Sequence, residues 1–251
     1  MKNSDINNYR LIISYDGTRY FGWEHQPNTD MTIQGKIENV LGRMVGEIPD
    51  VICAGRTDAG VHAKAMVANV FLDTEMSVDE IRDYLNKYLP EDICCTSVVR
   101  AGERFHARYN ATGKTYCYTV YSSPCKPVFD RKYVYAIEYH PNVEAMRKAA
   151  TYLMGEHDFA SFCANPRMKK STVRIVDSIN IEEDGPYIRF TYHGTGFLQH
   201  MVRILTGTLI EVGKGMRTPE SMAELLAAKD RKLAGETAPA CGLCMVSVDY
   251  N

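Results

Sequence analysis

One short segment concentrates the groups that could do chemistry: Ala54-Gly55-Arg56-Thr57-Asp58-Ala59-Gly60-Val61-His62-Ala63. It carries a cation, a carboxylate and an imidazole, with glycines at both ends that permit a sharp backbone path. Apolar runs, Val51-Ile52-Cys53 before it and Ala65 to Phe71 after it, read as strands. A tight loop between strands is a common place to present a reactive side chain. Arg56 and Asp58 are two apart, so in extended backbone they point the same way. A guanidinium beside Asp58 would keep it ionised, the form that can act as a nucleophile. A plain surface Arg–Asp pair in a β-turn fits the same residues.

Other chemistries lack their residues. The span from Gly55 to Gly60 is that of a phosphate loop, but no Lys-Ser/Thr follows it. Gly194-Thr195-Gly196 lacks the third glycine of a dinucleotide fingerprint. There is no His-Glu-x-x-His, no Gly-x-Ser-x-Gly, no carboxylate cluster spaced for a metal, and no second aspartate for a shared-proton dyad. Cys241 and Cys244 form a lone C-x-x-C. Zinc would want a second pair, and a redox pair would want a helix start where Met245 to Val248 reads as a strand. We therefore expect no cofactor and no metal.

What remains beside Asp58 is a set of basic strips with aromatics. They are Arg104-Phe105-His106-Ala107-Arg108-Tyr109, then Lys114-Thr115-Tyr116, then a run with Arg167, Lys169, Lys170 and Arg174 and no acid. Arginine and lysine grip phosphates, and aromatic faces stack bases. Each strip alone also fits a solvated face. The net charge of -2 gives no global nucleic-acid signal, so local patches must decide.

The elements that would position these groups follow from periodicity and caps. Strands are expected at Tyr9–Tyr15, Ile93–Val99, Lys114–Tyr121, Tyr133–Ile137, Thr172–Ile181, Tyr187–His193 and Leu243–Val248. Tyr116, Tyr118 and Val120 share one face of theirs. Helices are expected from Thr32 to Val45, from the Ser77-Val-Asp-Glu80 capping box to Pro90, and from Asn142 to Gly155. Two more are expected: one after Gly196 with Phe197, Met201, Ile204, Leu205 and Leu209 on one face, and one from Thr218-Pro219 to Ala228. Glu156 to Ala164 reads as loop. Thr18 to Pro27 reads as a gripping loop, or as a strand burying Trp23. The pattern predicts an α+β chain of two similar ferredoxin-like halves, residues 1–108 and 109–251, with antiparallel or mixed sheets. The polar N-terminus, Met1 to Asn8, lacks an apolar signal core, and no run approaches a membrane span. The eight scattered cysteines then read as reduced thiols of a cytoplasmic protein.

Gly55-Arg56-Thr57-Asp58-Ala59-Gly60-Val61-His62 resembles the catalytic motif of the A-type tRNA pseudouridine synthases. Further matching segments follow the family in order: Tyr15-Asp16-Gly17-Thr18 with Gly22-Trp23, Phe105-His106-Ala107-Arg108, Lys114 to Tyr118, His200-Met201-Val202-Arg203 with Gly207, Leu225 to Arg231, and Ala238 to Leu243. The likeness runs from about Tyr9 to Tyr250. It implies that the halves join into one extended sheet with the active-site cleft between them. It implies that Asp58 is the nucleophile, that Arg56 pairs with it and fills the stack left by the flipped nucleotide, that Tyr116 stacks on the uracil, and that Arg203 is a second arginine for the aspartate. The implied partners are the anticodon stem-loop of tRNA, at uridines 38, 39 and 40, and a second copy of the chain in a homodimer. Arg104, His106, Arg108, Lys114, Arg167, Lys169, Lys170 and His200 are the further candidates for RNA contact. His62 and His200 also fit plain packing roles. Cys117 departs from a commonly basic position and Asn69 from a common histidine.

The residues suit that chemistry independently. Uridine becomes pseudouridine by exchanging an N1–C1′ bond for a C5–C1′ bond, so nothing is oxidised and no group is imported. A stacked base must first be extruded, at a cost of a few kcal/mol. A structured-RNA-binding module without catalysis, in which Asp58 merely holds Arg56, is the competing expectation.

Overall fold

Tyr9, Leu11, Ile13 and Tyr15 alternate along the first apolar run, and all four are buried. A period of two sends every second side chain to one face, which is why this run forms a strand against a core. The computed structural model describes residues 6–165 and 167–251; the first five residues of the polar N-terminus lie outside them. In chain order the first elements are β1 (Asn7–Tyr15), α1 (Ile33–Val45), β2 (Ile52–Cys53), β3 (His62–Leu72), α2 (Val78–Tyr88) and β4 (Ile93–Arg100). There follow β5 (Ala111–Ser122), β6 (Tyr135–Ile137), α3 (Val143–Thr151), β7 (Gly155–Asp158), β8 (Val173–Asp184) and β9 (Tyr187–Gly194). The chain closes with α4 (Met201–Gly213), α5 (Ser221–Ala228) and β10 (Leu243–Tyr250). The fold is mixed α+β, with a large, mostly antiparallel sheet and five helices among the described residues.

Two compact units account for the packing: residues 1–112 with 245–251, and residues 113–244. In the first, the strand order is β4-β1-β3-β10, with the short β2 paired to β3. β1 is antiparallel to both neighbours, Leu11 facing Ala68 on one side and Val98 on the other. α1 and α2 pack together. The two caps expected from sequence are present. Thr32 accepts from the Gly35 N–H, and Ser77 and Glu80 close a reciprocal capping box. In the second unit the order is β5-β9-β8-β7. β6 runs parallel to β5, the exception in an otherwise antiparallel set. α3 packs against α4, α5 and β8. Tyr116, Tyr118 and Val120 share the buried face of β5, as their spacing predicts.

Three expectations need correction. Residues 156–164 are not all loop, because Gly155-Glu-His-Asp158 pairs with β8 as an edge strand. Four mostly polar residues carry no apolar alternation, and backbone pairing alone makes this strand. α4 starts at Met201, so Phe197 precedes the helix instead of lying on its face. α5 starts at Ser221, because Thr218 and Pro219 form a separate turn whose carbonyls take the Ser221 and Met222 N–H groups. No helix among the described residues is long and apolar enough to cross a membrane.

Candidate active site

Asp58 sits in the connection between β2 and β3, half-buried, next to a buried Thr57. Thr57 is fixed from two sides. Its hydroxyl lies 2.7 Å from the Tyr15 hydroxyl, and its carbonyl accepts the Trp23 N–H at 3.1 Å. The Val61 N–H donates to the Asp58 carbonyl, and the Gly60 N–H donates to the Tyr20 carbonyl. Of the two bracketing glycines, Gly60 takes a positive φ of 77°. The aspartate is therefore presented by a backbone tied down on both sides. His62 is buried, and its Nδ1 accepts the Gly17 N–H at 3.0 Å. His62 therefore braces the neighbouring loop, and the same nitrogen lies 3.2 Å from Asp16 Oδ1.

Residues 16–26 are the seat on which this loop rests. Trp23 is buried, as one of the two expectations for Thr18–Pro27 held, but it lies in irregular backbone, not in a strand. The carbonyls of Gly22 and Trp23 accept the N–H groups of Ile33 and Gln34, two donors that the first turn of α1 would otherwise leave unmet. Arg56 is exposed, and its ion pair is with Glu24, not with Asp58. Sequence spacing suggested the shorter Arg–Asp pairing, but the Gly22–Gln26 loop brings another carboxylate within reach. Glu38 of α1 is buried and ties the seat together. It accepts from the Val51 N–H at 2.8 Å and from Gln34 Nε2 at 3.0 Å, and it meets His25 Nε2. Gln34 in turn accepts the His25 N–H at 3.1 Å. We expect Glu38→Ala to lower stability by about 2–4 kcal/mol, because it strands a buried N–H and an amide. A urea titration that moved by under 0.5 kcal/mol would rule out this bracing role.

The other predicted residues fall at three places. Arg104, His106 and Arg108 lie in the irregular segment after β4, both arginines exposed. Lys114 and Tyr116 lie on β5, opposite Gly194 and Tyr192 of β9. Tyr116 is buried, its ring meeting Phe197 edge-on at 5.3 Å. His200 and Arg203 lie at the start of α4. His200 takes a φ of 59°, a left-handed conformation that costs a non-glycine residue free energy and clusters at functional sites. Arg203 Nε donates to the Ala238 carbonyl at 2.8 Å, which fixes the guanidinium instead of letting it trail into solvent. Arg167, Lys169 and Lys170 are exposed on the turn before β8. Among the described residues no group of His, Cys, Asp and Glu is placed to hold a metal ion.

A tRNA pseudouridine synthase family model matches residues 11–110 and 149–251. The chain belongs to the tRNA pseudouridine synthase family. A tRNA pseudouridine synthase A of a Bacillus strain is 46% identical over 245 residues, covering 98% of this chain and 100% of that one. One of Clostridium perfringens is 41% identical over 245 residues, with the same coverage. One of Syntrophotalea carbinolica is 41% identical over 96% of this chain and 95% of its own. Among solved structures, a chain of a Cbf5-Nop10-Gar1 complex has a TM-score of 0.37 at 11% identity, over 94% of this chain and 48% of that one, too distant to carry any argument.

Within this pseudouridine synthase, the matched stretches contain Arg56, Asp58, Arg104, His106, Arg108, Arg167, Lys169, Lys170, His200 and Arg203. Lys114 and Tyr116 lie between them. Sequence reasoning missed Glu24, Gln34, Glu38 and Phe197. Gln34 and Glu38 are one turn apart on α1, and two amphipathic polar residues on an otherwise apolar helix face were the available signal. Glu24 and Phe197 gave none, because both act through contacts to residues far along the chain.

Proposed function

We propose that this isomerase converts uridine to pseudouridine in the anticodon stem-loop of tRNA, at positions 38, 39 and 40, with Asp58 as the nucleophile. The observation that carries the proposal is the pinned Thr57–Asp58 backbone, which presents one carboxylate on a fixed loop in a member of this family. The ionised Asp58 oxygen attacks the flipped nucleoside and forms a covalent adduct, dividing one hard step into two. The N1–C1′ bond breaks, the uracil turns, C5 bonds to C1′, the C5 proton leaves to solvent while N1 takes one up, and the adduct collapses to release Asp58. Tyr116 stacks on the uracil and Arg203 supplies a cation to the reaction. Arg56 leaves Glu24 and enters the gap in the base stack. Both members of that pair are about half exposed, so its loss costs at most about 1 kcal/mol. The enzyme works in the cytoplasm as a homodimer.

The test is release of tritium from tRNA labelled at uracil C5, followed by mapping of pseudouridine. Label release with modification at 38 to 40 supports the proposal. Binding without release would leave a binding module. The exposed turn before β8 is expected to touch RNA phosphates. Lys169→Glu with Lys170→Glu should weaken tRNA binding at physiological salt and lower the slope of log K against log salt by roughly 1.4–1.8, two contacts' worth. Unchanged binding would take that turn out of the interface.

A further inference from the structure

Tyr109 is 77% exposed, yet its ring rests on His106 with centroids 4.1 Å apart and planes 33° from parallel. An exposed aromatic supported from behind is a platform, not a loose side chain. The segment around it is built to stay still. The His106 N–H donates to Asn110 Oδ1, and the Asn110 N–H donates back to the His106 carbonyl. His106 Nδ1 accepts the N–H groups of both Arg108 and Tyr109. The imidazole that its sequence context suggests as an RNA contact is thus occupied at Nδ1 by its own turn.

Beneath this turn lies a buried amide pair. Asn69 Nδ2 donates to Asn8 Oδ1 at 3.1 Å, and both residues are buried. Asn69 Oδ1 accepts the Ala107 N–H, and Asn8 Nδ2 donates to the carbonyls of Gly102 and Phe105. The Tyr250 hydroxyl donates to the Ala107 carbonyl at 2.6 Å, and its ring meets Phe105. A surface already ordered before binding does not lose that freedom again on binding.

Charge completes the picture. Arg19, Arg56, Arg82, Arg147, Arg189 and Arg217 are each held by a carboxylate. Arg104 and Arg108, exposed in the same segment as Tyr109, have no ion-pair partner among the described residues. Two exposed guanidinium groups and an exposed ring in one short segment suit RNA, whose phosphates take arginine and whose bases stack on aromatic faces.

We infer that residues 102–110 form a preformed platform on which Tyr109 stacks an unpaired base of the RNA while Arg104 and Arg108 take the neighbouring phosphates, with Asn8, Asn69 and His106 as positioning residues. This rests on the RNA-modifying function proposed above and adds a stacking residue besides Tyr116. The experiment measures binding of an unmodified tRNA transcript to the full-length protein across a range of salt. Tyr109→Ala is expected to weaken binding about tenfold or more without changing the salt slope, since stacking releases no counterions. Tyr109→Phe keeps the ring and should stay within about twofold of wild type. Arg104→Gln with Arg108→Gln should lower the slope. Melting temperature and sedimentation of the free protein should not move with Tyr109→Ala. Unchanged binding overturns the platform. A falling melting temperature overturns it too, by making the ring structural, and altered sedimentation does so by placing the ring against a second copy. If wild type neither binds the transcript nor releases C5 tritium, the enzymatic proposal fails instead; if it does both while Tyr109→Ala is normal, only the platform falls.

Discussion

Asp58→Asn is expected to cut pseudouridine formation by roughly four orders of magnitude or more, the scale seen when an enzyme loses its nucleophile, while tRNA binding stays near wild type. Asparagine has nearly the shape of aspartate but no anionic oxygen to attack with. The Thr57 hydroxyl, the Thr57 carbonyl, the Asp58 carbonyl and the Gly60 N–H all help hold the backbone of this loop, and the substitution alters none of them. The two quantities to compare are tritium release under single turnover and the dissociation constant for tRNA. Residual activity at a tenth of wild type would mean that another group attacks. Loss of binding in step with activity would make Asp58 a support for the RNA surface instead of a nucleophile.

Gly17→Ala should cause a large loss of stability. A Cβ at this position would lie 2.0 Å from the Val61 carbonyl oxygen and 2.6 Å from its carbon. Both obstacles are backbone, so no rotamer change relieves the clash. The Gly17 N–H also donates to His62 Nδ1, and the shift needed to accommodate the methyl would break that bond. We expect a loss of about 3 kcal/mol or more, in the range reserved for core overpacking and broken buried contacts. In the fraction that still folds, the Asp58 loop would be displaced, and a shift of about 1 Å is enough to cost on the order of a hundredfold in rate. Gly102→Ala is the control, since a Cβ there meets nothing within 4 Å. It should stay within about 0.5 kcal/mol of wild type. The urea midpoint at constant m-value reads both variants. If Gly17→Ala unfolds at the wild-type midpoint, the close packing of residues 16–18 on Val61 is not what holds the loop.

Much of the chain could be read directly because its signals are local. Alternation marks β1 and β5, the Ser77–Glu80 box marks the start of α2, and Thr32 and Asn142 cap α1 and α3 as their types and positions suggest. Those features depend on residues within one or two turns of each other, so the sequence window contains the whole cause. The edge strand β7 and the starts of α4 and α5 were illegible for the converse reason. β7 exists because β8 offers it hydrogen-bonding partners, and nothing in Gly-Glu-His-Asp records that offer.

The candidate site divides along the same line. The sequence by itself determined the chemistry: one carboxylate on a glycine-bracketed loop, basic strips with aromatics, and ordered motifs enough to resemble a single family over nearly the whole chain. Only the tertiary structure decided the partners. It set Arg56 on Glu24 instead of Asp58, used Glu38 of α1 to brace the entrance of the Asp58 loop, turned His106 inward beneath Tyr109, and brought the final strand back to complete the sheet of the first unit. Residue type and spacing state which groups are present and which way they point along one element. Which group meets which depends on where distant segments are brought by burial and backbone pairing, and that is a property of the whole fold.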